Sequence, residues 1–384
     1  MLRPILPALA MLALSNAGAL GAAEQRAAPI DTDIPVALLV DISSGQTLYT
    51  READRRFMPA SVTKVMTIYT LFDLLNRGKL RPDGVVEVSK KDADEWSGEG
   101  SSMFLKAGDR VTVERLLMGI TTVSANDASV VMAHEAAGSM KNWIALMNSK
   151  AAELGMRNSH FGLPNGYPDE GRTFTSADDL ALLASAMIER YPDLYHHYFG
   201  HHGMTYNGIT QANHDPITGV VQGADGIKTG YTRQAGYNFL GSAERNGRRL
   251  VMVLAGAPSA GERNRSARNF MNWGFDTFDN RLLVPKDYDL GRALVQNGAE
   301  DSVALTTAQD IRASLPKNDR ERMKLSIRYR GPLEAPIAQG QEVAQLRIEI
   351  DGQKPHDVPV VAAENVAKAN ILQRIINGVN GFFS

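Results

Sequence analysis

Ser61 and Lys64 stand three residues apart in Pro59-Ala-Ser-Val-Thr-Lys64. At that spacing on a helix the two side chains share one face, one turn apart. A serine hydroxyl is a weak nucleophile until a neighbour takes its proton. A lysine can do this once burial or nearby positive charge favours its neutral amine, and Lys64 lies among apolar helix residues. The spacing alone is a weak signal: Ser314-Leu-Pro-Lys317 repeats it around a proline and reads as chance. Two further groups strengthen it. Ser124-Ala-Asn126 follows one helical stretch and precedes another, and Lys228-Thr229-Gly230 begins a strand-like run, Asp225-Gly-Ile-Lys-Thr-Gly-Tyr-Thr232. Nucleophile, base, polar turn and cationic strand come from three distant stretches, so the chemistry depends on a fold that gathers them.

The elements to do so are legible. Val36 to Val40 and Thr47 to Tyr49 flank Ser43-Ser44-Gly45-Gln46 as a hairpin. A helix follows Pro59, with Val65, Ile68, Tyr69, Phe72 and Leu75 on one stripe and Gly78 as its stop. Helical patterns cover Val113 to Met118, Asp127 to Ala137, Lys141 to Leu154 and Asp178 to Glu189, the last capped by Thr175 or Ser176. Tyr237 to Ala243 and Arg249 to Ala255 are strands around Asn246-Gly247, a strong hairpin signal, and a helix from Arg263 to Phe278 closes the segment. Strands at both ends with helices between predict an α+β domain around an antiparallel sheet, over residues 30–282. From 283 to 362 the pattern changes to short alternating runs, including Met323 to Tyr329, Leu346 to Ile350 and Val358 to Val360, which predict a small all-β domain.

Composition narrows the class. The 384 residues are about two and a half times a typical domain of roughly 150, which predicts two domains. An apolar share of 43% and a charged share of 22% are those of a globular protein. Lysine plus arginine number 41 against 43 acids, so no overall basic field argues for a nucleic-acid partner. Cysteine is absent, which removes disulfides, thiolate catalysis and Cys-ligated metals. Residues 1–23 show a charged start, an apolar run from Ile5 to Leu14 and small residues at Ala17-Gly-Ala19 and Ala22-Ala23, as in a secretory signal peptide. Residues 363–384 carry Ile371, Leu372, Ile375, Ile376, Val379, Phe382 and Phe383 at helical spacing with polar residues between. That pattern fits a helix packed on the preceding domain or one lying on a membrane surface; its terminal position, with Lys368 and Arg374, favours the second.

The ordered set Ser61-x-x-Lys64, Ser124-x-Asn126 and Lys228-Thr-Gly230 is the signature of penicillin-recognising serine enzymes. Together with the exported start, the β-rich second domain and the amphipathic tail, the chain resembles the low-molecular-mass penicillin-binding proteins that act as D-alanyl-D-alanine carboxypeptidases. The resemblance implies a penicillin-recognising serine transpeptidase-like domain that trims peptidoglycan stem peptides through an acyl-enzyme and is acylated by β-lactam antibiotics. It implies Ser61 as nucleophile, Lys64 as base and Ser124 as a proton relay helped by Lys228, with Asn126 orienting the substrate amide. It places the oxyanion at the N–H groups of Ser61 and Tyr231, and the substrate carboxylate against Lys228, Thr229 and Arg263, beside Gly230. Tyr231 departs from members that carry histidine there, which leaves its backbone role intact and its side chain without an assigned one. No metal or organic cofactor is expected, since nucleophile, base and oxyanion donors are all protein groups. The expected location is the outer face of the cytoplasmic membrane, held peripherally.

Competing motifs are weaker. His196-His197 and His201-His202 lack zinc-ligand spacing, His134-Glu135 has no second histidine in place, and Gly226-Ile-Lys228-Thr229 breaks the phosphate-loop pattern. Two rival readings share the fold: a β-lactamase, which in class A needs a glutamate to activate the deacylating water, and a non-catalytic cell-wall-binding scaffold. No E-x-x-L-N stretch follows Ser124-Ala-Asn126, which counts against the first. The intact Ser61, Lys64, Ser124, Asn126 and Lys228 count against the second.

Overall fold

The computed structural model describes residues 28–317, 323–351 and 355–370. The expected signal peptide and the apolar part of the tail helix lie outside these residues. The chain opens with the hairpin β1 (Val36–Asp41) and β2 (Gln46–Arg51), then a 3-10 turn (Ala60–Thr63) running into α1 (Lys64–Asn76). The small pair β3 (Val85–Glu87) and β4 (Arg110–Thr112) brackets α2 (Lys90–Trp96). A helical layer follows: α3 (Val113–Thr122), α4 (Asn126–Ala137), α5 (Met140–Glu153), α6 (Ala177–Arg190) and α7 (Pro192–Tyr198). Ser176 caps α6, its side chain accepting from the Asp179 N–H. The hairpin β5 (Gly203–Tyr206) and β6 (Ile209–Ala212) precedes β7 (Ala224–Thr232), β8 (Gly236–Arg245), β9 (Arg248–Ala257) and α8 (Ala260–Thr277).

Five strands form one antiparallel sheet in the order β2-β1-β9-β8-β7, so β7 is an edge. Both faces are covered, and the period of two divides the strand residues between two cores. Val36 and Leu38 of β1 with Val251 and Val253 of β9 join the core under α1, whereas Ala37, Leu39, Leu250 and Met252 join the core under α8. The expected single apolar stripe on α1 is corrected. Every residue from Lys64 to Asp73 is buried, because the helix is packed between the sheet and the other helices, and a helix enclosed on all sides has no solvated face. Helix α8 begins one turn before the expected Arg263, because Ser259 caps it there, its side chain accepting from the Glu262 N–H while its hydroxyl donates to the Glu262 carboxylate at 2.7 Å.

The remaining strands are β10 (Phe278–Val284), β11 (Asp289–Gln296), β12 (Ser302–Thr306), β13 (Ile311–Pro316), β14 (Met323–Arg328), β15 (Leu333–Glu334), β16 (Glu342–Ile350) and β17 (His356–Ala362). They form a six-stranded sheet in the order β14-β16-β17-β12-β11-β15 and the pair β10-β13, over a third core drawn from Val284 to Val366. Residues 363–370 are not the start of a helix. Val366 bridges Ile337 and Lys368 bridges Gly298, and Val366 and Ala369 are buried against the β-rich domain. No helix among the described residues is long and apolar enough to cross a membrane.

The two regions meet through a buried polar cluster. The Asp41 carboxylate, at the end of β1, accepts from Arg248 Nε at 2.6 Å and from the Ser314 hydroxyl on β13. The Arg248 guanidinium also donates to the Phe278 carbonyl at 2.6 Å and to Ser314 Oγ at 3.1 Å. Ser314 thus belongs to the domain junction, while Lys317 Nζ turns to the Phe275 carbonyl, so that S-x-x-K copy forms no nucleophile–base pair.

Candidate active site

Ser61 lies in the 3-10 turn and Lys64 on the first residue of α1. With three residues per turn, side chains at i and i+3 eclipse, so the 3-10 start aligns the pair more closely than an α-helix would. Lys64 Nζ lies 2.9 Å from Ser61 Oγ, 2.7 Å from Asn126 Oδ1 and 2.7 Å from the Asn165 carbonyl, with its side chain fully enclosed. Burial, and then the neighbouring Lys228 charge, hold this amine well below the ordinary lysine range, with Asp127 opposing. The backbone is strained on both sides of the cleft: Ala60, directly before the serine, has φ of 50°, and Ser124 has φ of 63°. Non-glycine residues in this region cost of order 1–3 kcal/mol, which the packing around them must offset.

Helix α4 delivers the second group. Asn126 is its first residue, accepting from Lys64 and donating to the Glu99 carbonyl at 2.8 Å. The next residue, Asp127, is buried and accepts from Ser102 Oγ, the Met103 N–H and the Leu105 N–H, tying the preceding loop to the helix start. The third group sits on the edge strand β7. Gly230 is required there because a Cβ would run into the Pro59 carbonyl and Val62 of the serine turn. Gly166, with φ of 71°, plays the same part from the opposite loop, where a Cβ would collide with the Ala60 carbonyl. Two close approaches thus clamp the serine turn.

Ser61, Ser124, Asn126, Thr229, Gly230, Tyr231 and Arg263 line one cleft of about 720 Å³. Lys228 is buried behind it, and burial together with the Arg263 charge brings its amine down to about 7, with Asp215 opposing. Arg263 is no surface charge: only 6% exposed, it donates to Asn264 Oδ1 at 2.8 Å, and burial pushes it down to about 10. Tyr231 presents its ring to solvent, stacked on Tyr237 with centroids 4.2 Å apart. The sequence reading missed Asn165, whose main-chain oxygen holds the Lys64 amine, and Gln211 and His214, which wall the cleft from the β5–β6 side. Asn165-Gly166 and Asn207-Gly208 are turn signals and could have marked those loops, but nothing in them announces a contact with Lys64. Among the described residues no group of acids and histidines is placed to hold a metal, and His201 Nε2 is engaged by the His197 carbonyl at 2.8 Å.

Fold and cleft together define a serine acyl-transfer enzyme. The D-alanyl-D-alanine carboxypeptidase family model matches residues 23–259, and the model of the penicillin-binding protein 5 C-terminal domain matches residues 278–368. The chain belongs to the D-alanyl-D-alanine carboxypeptidase family. It is 32% identical to the D-alanyl-D-alanine carboxypeptidase DacF of Bacillus subtilis over 342 residues, 88% of this chain and 86% of that one. It is 33% identical to DacA of Escherichia coli over 356 residues, 90% and 87% of the two chains. Penicillin-binding protein 5 of Haemophilus influenzae superposes with a TM-score of 0.78 at 28% identity, over 89% of this chain and 100% of that one. Penicillin-binding protein D2 of Listeria monocytogenes, in its ampicillin-bound form, superposes with a TM-score of 0.57 at 27% identity over 64% and 98%.

Proposed function

We propose that this chain removes the terminal D-alanine from peptidoglycan stem peptides ending in D-Ala-D-Ala, by way of an acyl-enzyme on Ser61. The observation that carries the reading is a buried amine, shifted toward its neutral form, 2.9 Å from a hydroxyl in a cleft lined by Arg263 and backed by Lys228. Lys64 takes the Ser61 proton as Oγ attacks the carbonyl between the two D-alanines. The oxyanion sits between the N–H groups of Ser61 and Tyr231, donors already in place before charge develops. The released carboxylate end lies against Lys228, Thr229 and Arg263, and Asn126 orients the substrate amide. Ser124, helped by Lys228, passes a proton to the leaving amine. Water then attacks the acyl-enzyme with Lys64 again as base.

Penicillin takes the same path as far as the acyl-enzyme. No carboxylate lines the cleft among the described residues, so nothing there matches the water-activating glutamate of class A β-lactamases, and the adduct leaves slowly. A pentapeptide ending in D-Ala-D-Ala should yield free D-alanine and a tetrapeptide by mass analysis. Labelled penicillin should mark the wild-type protein and leave Ser61→Ala unmarked. Rapid penicillin turnover would assign the cleft to a β-lactamase, and a wild-type protein that takes no label would assign it to a scaffold.

Residues 1–23 direct export, and the tail holds the enzyme at the outer face of the cytoplasmic membrane; both rest on the sequence pattern. Since Val366 and Ala369 are buried in the β-rich domain, the truncation that tests the tail starts after Asn370. It should move the protein to the soluble fraction with D-alanine release unchanged, and a truncated protein still bound to membrane would refute the anchor.

A further inference from the structure

A second groove, about 710 Å³, adjoins the catalytic cleft and shares its Tyr231–Tyr237 wall. Its rim carries Arg55, Arg56 and Arg233, and no carboxylate lines it among the described residues. In a chain whose net charge is -2, three guanidinium groups around one groove are a local excess. Arg55 is already engaged by Glu52 at 2.8 Å. Among the described residues Arg56 meets only neutral partners, Asn158 Oδ1 at 3.2 Å and the face of Phe174 at 4.7 Å. Arg233 is exposed in the β7–β8 turn and has no ion-pair partner among the described residues. That turn is fixed, because the Ala235 N–H donates to Thr232 Oγ1 at 3.0 Å.

The direction of the substrate follows from the proposed function, on which this inference rests. Its terminal carboxylate lies at Lys228 and Thr229 and its scissile carbonyl at the Tyr231 N–H, so the peptide runs antiparallel to the edge strand β7. Residues upstream of the scissile bond continue past Tyr231 toward Arg233, two positions or roughly 7 Å farther along the strand. We propose that the groove beyond Tyr231 is a subsite for an anionic upstream part of the stem peptide, in which Arg56 and Arg233 pair with a carboxylate while the Tyr231–Tyr237 stack supports the peptide backbone. Guanidinium groups suit this task because their planar fork matches a carboxylate. The site then reads its substrate at both ends, by the terminal carboxylate and by a second one upstream.

The test compares two pentapeptides ending in D-Ala-D-Ala, one with free carboxylates on the residues before the last two alanines and one with those groups amidated. The wild-type protein should favour the free acid by roughly five- to tenfold in kcat/KM, almost wholly through KM, as expected of partly exposed ion pairs. Added salt should shrink the preference. Arg56→Gln/Arg233→Gln should remove it while leaving the amidated peptide and the rate of penicillin acylation within twofold, and Arg233→Glu alone should reverse it. Equal wild-type rates on the two peptides, or a preference that survives in the double variant, overturn the subsite while leaving the carboxypeptidase intact. Failure of the wild-type protein to release D-alanine from either peptide overturns the activity and the subsite together.

Discussion

The domain junction and the cleft both bury cations and treat them in opposite ways. At the domain junction Arg248 is 8% exposed and spends its donors on Asp41, the Phe278 carbonyl and Ser314, so its charge is matched by a carboxylate at 2.6 Å. In the cleft Lys64, Lys228 and Arg263 are 0%, 4% and 6% exposed, and among the described residues none has a carboxylate within ion-pair distance. Asp127 and Asp215 act on them only from farther off. A buried charge must be compensated or must shift toward its neutral form. The junction takes the first course and becomes structure. The cleft takes the second, which leaves Lys64 shifted toward its neutral form beside a hydroxyl, with Lys228 and Arg263 lowered in the same direction and open to an anion.

That contrast can be broken by exchanging cations for apolar groups at the two sites. Lys64→Met should lower kcat/KM for D-alanine release by about 10⁴-fold, the scale seen when one member of a concerted catalytic set is removed, with thermal stability unchanged or raised. Arg248→Met should leave kcat/KM per folded molecule within twofold but weaken the fold by about 3–5 kcal/mol in urea titrations, because the Asp41 carboxylate is left buried without a countercharge. Should Lys64→Met unfold the protein, or Arg248→Met abolish catalysis without loss of stability, the division between the two sites fails. The smallest effect sharpens it. Lys228, lowered to about 7, is deprotonated in the fold while the unfolded chain still binds the proton up to about 10.4. Stability therefore rises with pH across that window and is lowest below about 7, where the folded protein carries the buried ammonium. Between pH 7 and 9 the wild-type protein should gain about 2 kcal/mol relative to Lys228→Met, measured by denaturant unfolding of the ligand-free protein.

Some of this was legible along the chain because it is local. The S-x-x-K spacing needs only one turn of helix, Asn246-Gly247 makes its own hairpin, and Ser176 caps the helix it precedes. The turns that bring Asn165, Gln211 and His214 to the cleft are also local, but their targets lie across space. Arg263 shows why a charge cannot be assigned to surface or site from sequence: its burial follows from the way α8 packs against β8 and β9, not from its neighbours in the chain. Ser314 teaches the converse, since a motif copy without catalytic meaning holds two domains together.

Sequence by itself determined the residue types, their order and the period of each segment, and so the family, the sheet with its helices and the three stretches that meet at the cleft. Tertiary structure decided what those residues experience. Lysine is a neutral base only where water and carboxylates are kept away, and a serine turn meets an edge strand only where two glycines permit the approach. Both conditions are properties of the space between elements, set by packing that no single segment contains.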